Sequence, residues 1–272
     1  MTDFQRFGEQ ERIGWSNKKI VDSYVSKFGP ITDQVARSLV ARVSPKDKAV
    51  LDLCCGQGTL TKMLSESGAN VDGIDFSQEM LELAKVAAPH ASLQHGDAAA
   101  LPYSDGSFDA VLCNFGMMHL PDQPKALTEI RRVLRPTGQF LMATWAAPAV
   151  SPAFGTVFGA IKAHADFSLA PEQPDLFAFA EAEKAQELLS TAGIRMVANE
   201  TVTPVWVLSK PEELYDIYLT ATVGASMLIE AQKPEVITAI GYQITKSVSE
   251  KFAVGEMDSV PVPVVVITAS LA

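Results

Sequence analysis

"VLDLCCGQGTLT", Val50 to Thr61, is a short apolar run that ends in two glycines one residue apart, with Asp52 behind them and Cys54 and Cys55 in front. A run of this length closed by glycine reads as a buried strand entering a tight turn. "TKMLSES" continues as a helix that Gly68 ends. The unit is strand, glycine loop, helix. A dinucleotide fingerprint needs a third glycine, and Thr61 stands at that position; the phosphate loop fails too, because no Gly-Lys-Ser/Thr occurs in the chain. Neither phosphate-binding pattern fits.

Downstream the pattern repeats. "NVDGID" reads as a strand, Ser77 caps a helix with Met80, Leu83, Ala84 and Ala87 on one face, and "SLQHGD" is a third short strand. "FDAVLCNF" is the next strand, a helix from about Gln123 buries Leu127, Ile130 and Leu134, "RPTG" reads as a turn, and "QFLMATW" as a further strand. Strands alternating with helices imply a parallel sheet covered on both faces. Upstream, apolar residues between Trp15 and Val43 fall at helical spacing and break at Gly29-Pro30, which predicts two helices before the first strand. After Trp145 the pattern changes: "AAPAVSPAFG" and "SLAPEQPDLF" are proline-rich, residues about 211–252 read as mainly helical, and "VPVPVVVITASL" reads as one closing strand. The expected organisation is an N-terminal helical lid over 1–46, a core over 47–147, and the rest of the sheet with a helical, substrate-binding cap over 148–272.

The first strand and its loop, "VDGIDFS" with Asp75 closing the second strand, and "GDAAALPYSDGSFDAVLCN" with Asp97 closing the third together resemble the class I S-adenosylmethionine-dependent methyltransferases. The wording is most similar to the small-molecule group that includes the ubiquinone/menaquinone enzymes, and the resemblance covers about residues 48–146. It implies a Rossmann-like α/β sheet, mostly parallel, of seven strands with the last antiparallel. It also implies S-adenosylmethionine as cofactor and S-adenosylhomocysteine as product. By the resemblance, Asp52 and the turn at Cys55, Gly56 and Gly58 approach the methionine portion of the cofactor, where a Cβ would collide. Asp75 accepts the ribose hydroxyls, Phe76 and Met80 pack on adenine, Asp97 and the backbone N–H of Ala98 face its edge, and Asn114 lies beside the amino-acid end. Tyr24 and Trp15 are similar to aromatics that the family's N-terminal helices fold over the cofactor and acceptor. The departure is Cys54, which stands where many members carry the first glycine of the loop.

Methyl transfer from a sulfonium needs alignment and exclusion of water, and a general base only when the acceptor must lose a proton. His119, in "NFGMMHLPD" just past the strand that ends at Asn114, is the candidate base and acceptor contact; a structural rim residue is the plainer reading. His90, His95 and His164 read as structural. The aromatics after residue 150, among them Phe154, Phe158, Trp206 and Tyr218, suit an apolar acceptor pocket, although most of them must simply be core. Cys54 and Cys55, adjacent and without a second Cys or His pair, lack the spacing of a metal site and read as small core residues. Three cysteines in apolar sequence suit reduced thiols rather than disulfides.

A formal charge of −10 repels phosphate backbones and disfavours a nucleic-acid substrate. No stretch approaches the ~20 apolar residues of a membrane span, so a cytoplasmic protein, monomer or homodimer, is expected. Two other classes stay open. A protein of this kind can hold the cofactor structurally or for chemistry other than methyl transfer, and a nicotinamide-dependent oxidoreductase is opposed by Thr61 and by the second acidic position at Asp97.

Overall fold

The structure, a computed structural model, describes residues 4–254 and 257–272. The first three residues of the expected N-terminal lid lie outside the described residues. In chain order the elements are α1 (Gln5–Trp15), α2 (Lys18–Lys27), α3 (Gly29–Val43), β1 (Ala49–Leu53), α4 (Thr59–Glu66), β2 (Asn70–Asp75), α5 (Gln78–Ala87), β3 (Ser92–His95) and β4 (Phe108–Asn114). A 3-10 turn over Met117–His119 then leads to α6 (Gln123–Val133), β5 (Leu134–Trp145), α7 (Pro152–His164), α8 (Ala182–Thr191), β6 (Ile194–Val202) and β7 (Val205–Leu208). The chain ends with α9 (Glu213–Ala221), α10 (Gly224–Glu230), α11 (Pro234–Lys251), β8 (Ala253–Val254), β9 (Met257–Pro261) and β10 (Val264–Leu271).

Seven strands pair in the order β3-β2-β1-β4-β5-β10-β6. β1 sits between β2 and β4, parallel to both, and β10 alone runs antiparallel, against β5 on one side and β6 on the other. The central strands are mostly apolar because helices cover both faces: Val50, Leu51 and Leu53 of β1 and Ala110 to Cys113 of β4 are buried. Local signals set the helix ends. The Ser77 hydroxyl accepts the Met80 N–H at the start of α5, Asp122 accepts the Lys125 N–H at the start of α6, and Gly68, at φ 86°, follows the end of α4.

The chain divides into two units. One comprises Thr32–Trp145, Gln173–Val202 and Val264–Ala272 and contains the seven-stranded sheet; the other comprises Met1–Ile31, Ala146–Glu172 and Thr203–Pro263. The second unit holds α1, α2, α7, α9, α10 and α11 together with a small sheet of order β7-β9-β8. Its core is aromatic. The Tyr218 ring lies between Phe28, Phe154, Phe158 and Trp206 at centroid distances of 5.6 to 6.4 Å.

Four elements differ from the sequence reading. Three helices precede β1, and Trp15 ends the first of them instead of opening the next. α1 is polar on average and carries Gly8 and Gly14, so no apolar stripe announces it; Gly14 is needed, because a Cβ there would lie 2.4 Å from Val223. "RPTG" is not a free turn, since β5 starts at Leu134 opposite Phe108 and absorbs those residues in a register shift before Gln139 pairs with Ala110. The closing segment is two strands. Pro261 and Pro263 cannot donate to a ladder, and the Val262 N–H between them turns to Pro204 O at 2.9 Å, so β9 joins the small sheet and β10 the large one. Val205–Leu208, too short to read as a strand, is β7, the edge of the small sheet.

Candidate functional site

The loop after β1 is shaped by left-handed backbone at three nearby positions, Cys54 (φ 57°), Gly56 (φ 54°) and Gly58 (φ 81°). Such angles favour glycine, and Cys54 adopts one with a side chain in place. Gly58 also lets α4 start against α5: a Cβ there would lie 2.8 Å from the Ala84 Cα. At Gly56 the same construction meets nothing within 4 Å. The loop therefore presents an open face at Gly56 and a closed one at Gly58.

Two carboxylates stand behind the loop. Asp75, the last residue of β2, is buried and braces two loops at once: its Oδ2 accepts the Gly56 N–H at 2.9 Å and its Oδ1 the Ser77 N–H at 2.8 Å. Burial pushes its carboxyl up, while those two N–H groups and a charge on His119 or His95 pull it down. Each carboxylate oxygen retains a lone pair beyond its backbone bond. Asp52, on β1, is 1% exposed, and its Oδ2 accepts the Thr61 hydroxyl at 2.6 Å. Burial carries its pKa to about 7, partly offset by the Thr61 hydrogen bond and reinforced by Asp75. Thr61, which rules out a third glycine, thus has a positive role that the sequence reading missed; its signal was a hydroxyl residue one helical turn past the loop.

The remaining candidates fall as follows. Phe76 is half-buried and Met80 fully buried at the start of α5, and Cys55 is buried with its Sγ 3.2 Å from where a Gly73 side chain would begin. Asp97 is exposed and caps its own turn by accepting the Ala99 N–H at 2.8 Å, beside the buried Ala98. Asn114 donates from Nδ2 to Thr32 O at 3.2 Å, while its Oδ1 is buried without a partner among the described residues. His119 is half-buried at the end of the 3-10 turn after β4. All of these belong to the large-sheet unit, along the carboxyl ends of β1, β2, β3 and β4 where ligands enter open α/β sheets.

Trp15 and Tyr24 belong to the other unit. Their rings meet edge to face at 5.0 Å, and Tyr24 stacks on Phe28 at 5.3 Å. The Trp15 indole N–H donates to Glu11 Oε2 at 2.9 Å, and Glu11 is only 3% exposed. That buried carboxylate had no signal in the sequence. His164 makes a 2.7 Å contact with Gln243. Among the described residues, no group of three or more His, Cys, Asp or Glu side chains is arranged to hold a metal ion, and no helix is long and apolar enough to cross a membrane.

A mostly parallel seven-stranded sheet with a single antiparallel strand, a glycine loop after β1 and acidic residues closing β2 and following β3 define the class I methyltransferase architecture. Comparison with known proteins agrees: residues 51–142 match the family model described as a methyltransferase domain. The chain is 34% identical over 173 residues to the demethylmenaquinone methyltransferase of Staphylococcus haemolyticus, covering 56% of this chain and 71% of that protein. It is 39% identical over 109 residues to the enzyme of the same name from Renibacterium salmoninarum, covering 40% and 46%. Among solved structures it is similar to a candidate methyltransferase from Bacillus halodurans (TM-score 0.58, 19% identity, 87% and 98% of the two chains) and to the 4+2 cyclase SpnF (TM-score 0.58, 17%, 96% and 96%). The chain belongs to the S-adenosylmethionine-dependent methyltransferases of the class I fold, acting on a small molecule.

Proposed function

We propose that Asp75, the loop Cys55-Gly56-Gly58, Asp52 and Asn114 hold S-adenosylmethionine, with Phe76, Met80, Asp97 and Ala98 around its adenine, and that the acceptor is small and partly apolar. Bound there, the cofactor supplies a sulfonium methyl group, and release of a neutral thioether drives its transfer. The residues of the chain fit that group. Space is open at Gly56, where a side chain would block approach. The spare lone pairs of Asp75 suit two vicinal hydroxyls, and the partnerless Asn114 Oδ1 suits an ammonium. What carries the reading is Asp75, whose two oxygens fasten the glycine loop and the α5 start while leaving acceptor capacity on both. Cofactor leaves as S-adenosylhomocysteine.

His119 lies close enough to act electrostatically on Asp75, which supports it as a base for an acceptor that must lose a proton. Trp15 and Tyr24 are proposed to serve the acceptor and cofactor from the N-terminal segment, with aromatic faces suited to apolar surface or a sulfonium. The names of the relatives make a demethylated naphthoquinol the first acceptor to try. Calorimetric titration with S-adenosylhomocysteine tests the assignment. Asp75→Ala should weaken binding by about 3 kcal/mol, roughly a hundred-fold, for two hydrogen bonds to a charged acceptor; unchanged affinity in a folded variant would remove Asp75 from the ribose site. The cyclase with the same fold keeps a second reading in view, cofactor binding without methyl transfer. Tight binding combined with no acceptor-dependent S-adenosylhomocysteine across a phenol, quinol and amine panel would favour it.

A further inference from the structure

Three thiols surround the glycine loop, and two of them converge. β1 and β4 pair with Asp52 opposite Leu112, so one residue further Leu53 stands opposite Cys113, and Cys54 is the next residue along. Strand spacing and rise then put the Cys54 and Cys113 Cα atoms about 6 Å apart, near the most common separation for a disulfide. In extended backbone Cys54 would face away from Cys113. Its left-handed φ of 57° turns the side chain round, and its thiol faces that of Cys113. Gly116 leaves the room: a Cβ built there would lie 2.4 Å from Cys54 Cβ, 2.8 Å from its Sγ and 2.7 Å from Cys113 Sγ. Cys55 points elsewhere, toward Gly73 on β2. Cys54 is half-buried and Cys113 fully buried, so of the two residues Cys54 is the more accessible to a small oxidant.

We propose that Cys54 and Cys113 are an oxidative modification site, a dithiol that a hydroperoxide converts reversibly to a disulfide and that thereby governs the glycine loop. Cys54 sulfur attacks the peroxide, the O–O bond breaks, and sulfenic acid forms with release of water or alcohol. Cys113 sulfur then displaces the hydroxyl as water, so that the two thiols lose two electrons and two protons to the peroxide. Closure draws the sulfurs from non-bonded separation to about 2.05 Å. It pulls Cys54 toward β4 and away from β2, from which the next two residues hang: Cys55 N–H donates to Ile74 O at 3.0 Å and Gly56 N–H to Asp75 at 2.9 Å. The expected consequence, which rests on the cofactor reading above, is weaker cofactor binding in the oxidised form. The contact with Cys113 and burial hold the Cys54 thiol protonated, so closure is slow at neutral pH and speeds about tenfold per pH unit as the thiolate fraction grows.

The test treats the reduced full-length protein with diamide or hydrogen peroxide and maps disulfides by mass spectrometry under non-reducing conditions, followed by titration with S-adenosylhomocysteine before oxidation, after it, and after dithiothreitol. The expected result is loss of two hydrogens, a cross-link that vanishes in both Cys54→Ser and Cys113→Ser, and at least a tenfold loss of affinity that dithiothreitol restores. Three thiols intact after oxidation, a cross-link that survives in either variant, or oxidised protein that binds within twofold of the reduced form would overturn the proposal. Mapping needs no variant to fold and no ligand to bind. Reduced protein that fails to bind at all would instead sink the cofactor reading and leave the cross-link to be decided by mass alone.

Discussion

Asp52 is buried, its Oδ2 accepts the Thr61 hydroxyl, and its pKa stands near 7 against 3.8 for the ordinary side chain. A carboxyl whose folded pKa lies above its unfolded value contributes stability below about pH 4 that is lost as pH rises through 7. Asp52→Asn, which keeps an acceptor for Thr61, should therefore gain stability relative to the parent by about 2–3 kcal/mol on going from pH 5 to pH 8. Denaturant titrations at the two pH values decide it, and a constant difference would mean that Asp52 is ionised throughout. A second consequence concerns binding: a cation placed beside Asp52 favours its ionised form, so S-adenosylhomocysteine should release protons near pH 7, visible as a binding enthalpy that varies with the ionisation heat of the buffer. Both aspartates were singled out in the sequence through the family resemblance, Asp52 within the first apolar run and Asp75 at the end of the second. The Thr61 hydrogen bond and the left-handed angle at Cys54 were not, since a sequence shows which residue replaces a glycine but not the backbone angle it must adopt.

At the scale of elements, glycine loop and helix packing are one structure. Gly58→Ala adds a Cβ 2.8 Å from backbone in α5 at a φ of 81°, and a loss of about 2–4 kcal/mol with a lowered melting temperature is expected; a near-neutral result would show that α4 and α5 slide apart freely. In α9, Tyr218 is fully buried among aromatics, and its hydroxyl has no partner among the described residues. Tyr218→Phe should raise stability by about 1 kcal/mol, because the lone buried hydroxyl costs more than it returns; thermal denaturation that moves the other way would reveal a partner. The βα repeats from Val50 to Trp145 could be read from period and punctuation. The elements outside them could not: α1 lacks an apolar stripe, β7 spans only Val205–Leu208, and the division of the closing segment depends on where Val262 sends its N–H, a tertiary fact.

For the whole molecule, the net charge of −10 and the match over residues 51–142 bear on the same conclusion, a small-molecule methyltransferase, with the cofactor site proposed on the large sheet. A mostly parallel seven-stranded sheet was expected from the family resemblance; the small sheet was not, because β7 is brief and lies far along the chain from β8 and β9. If residues 15–43 serve as a lid, hydrogen exchange there should slow on adding S-adenosylhomocysteine, and exchange unaltered by ligand would remove that role. The most direct test of the account is calorimetric titration of the reduced protein with S-adenosylmethionine and with S-adenosylhomocysteine, beside Asp75→Ala. Binding of both to the parent, weakened roughly a hundred-fold in the variant, is the result predicted; binding of neither by folded parent protein would contradict it.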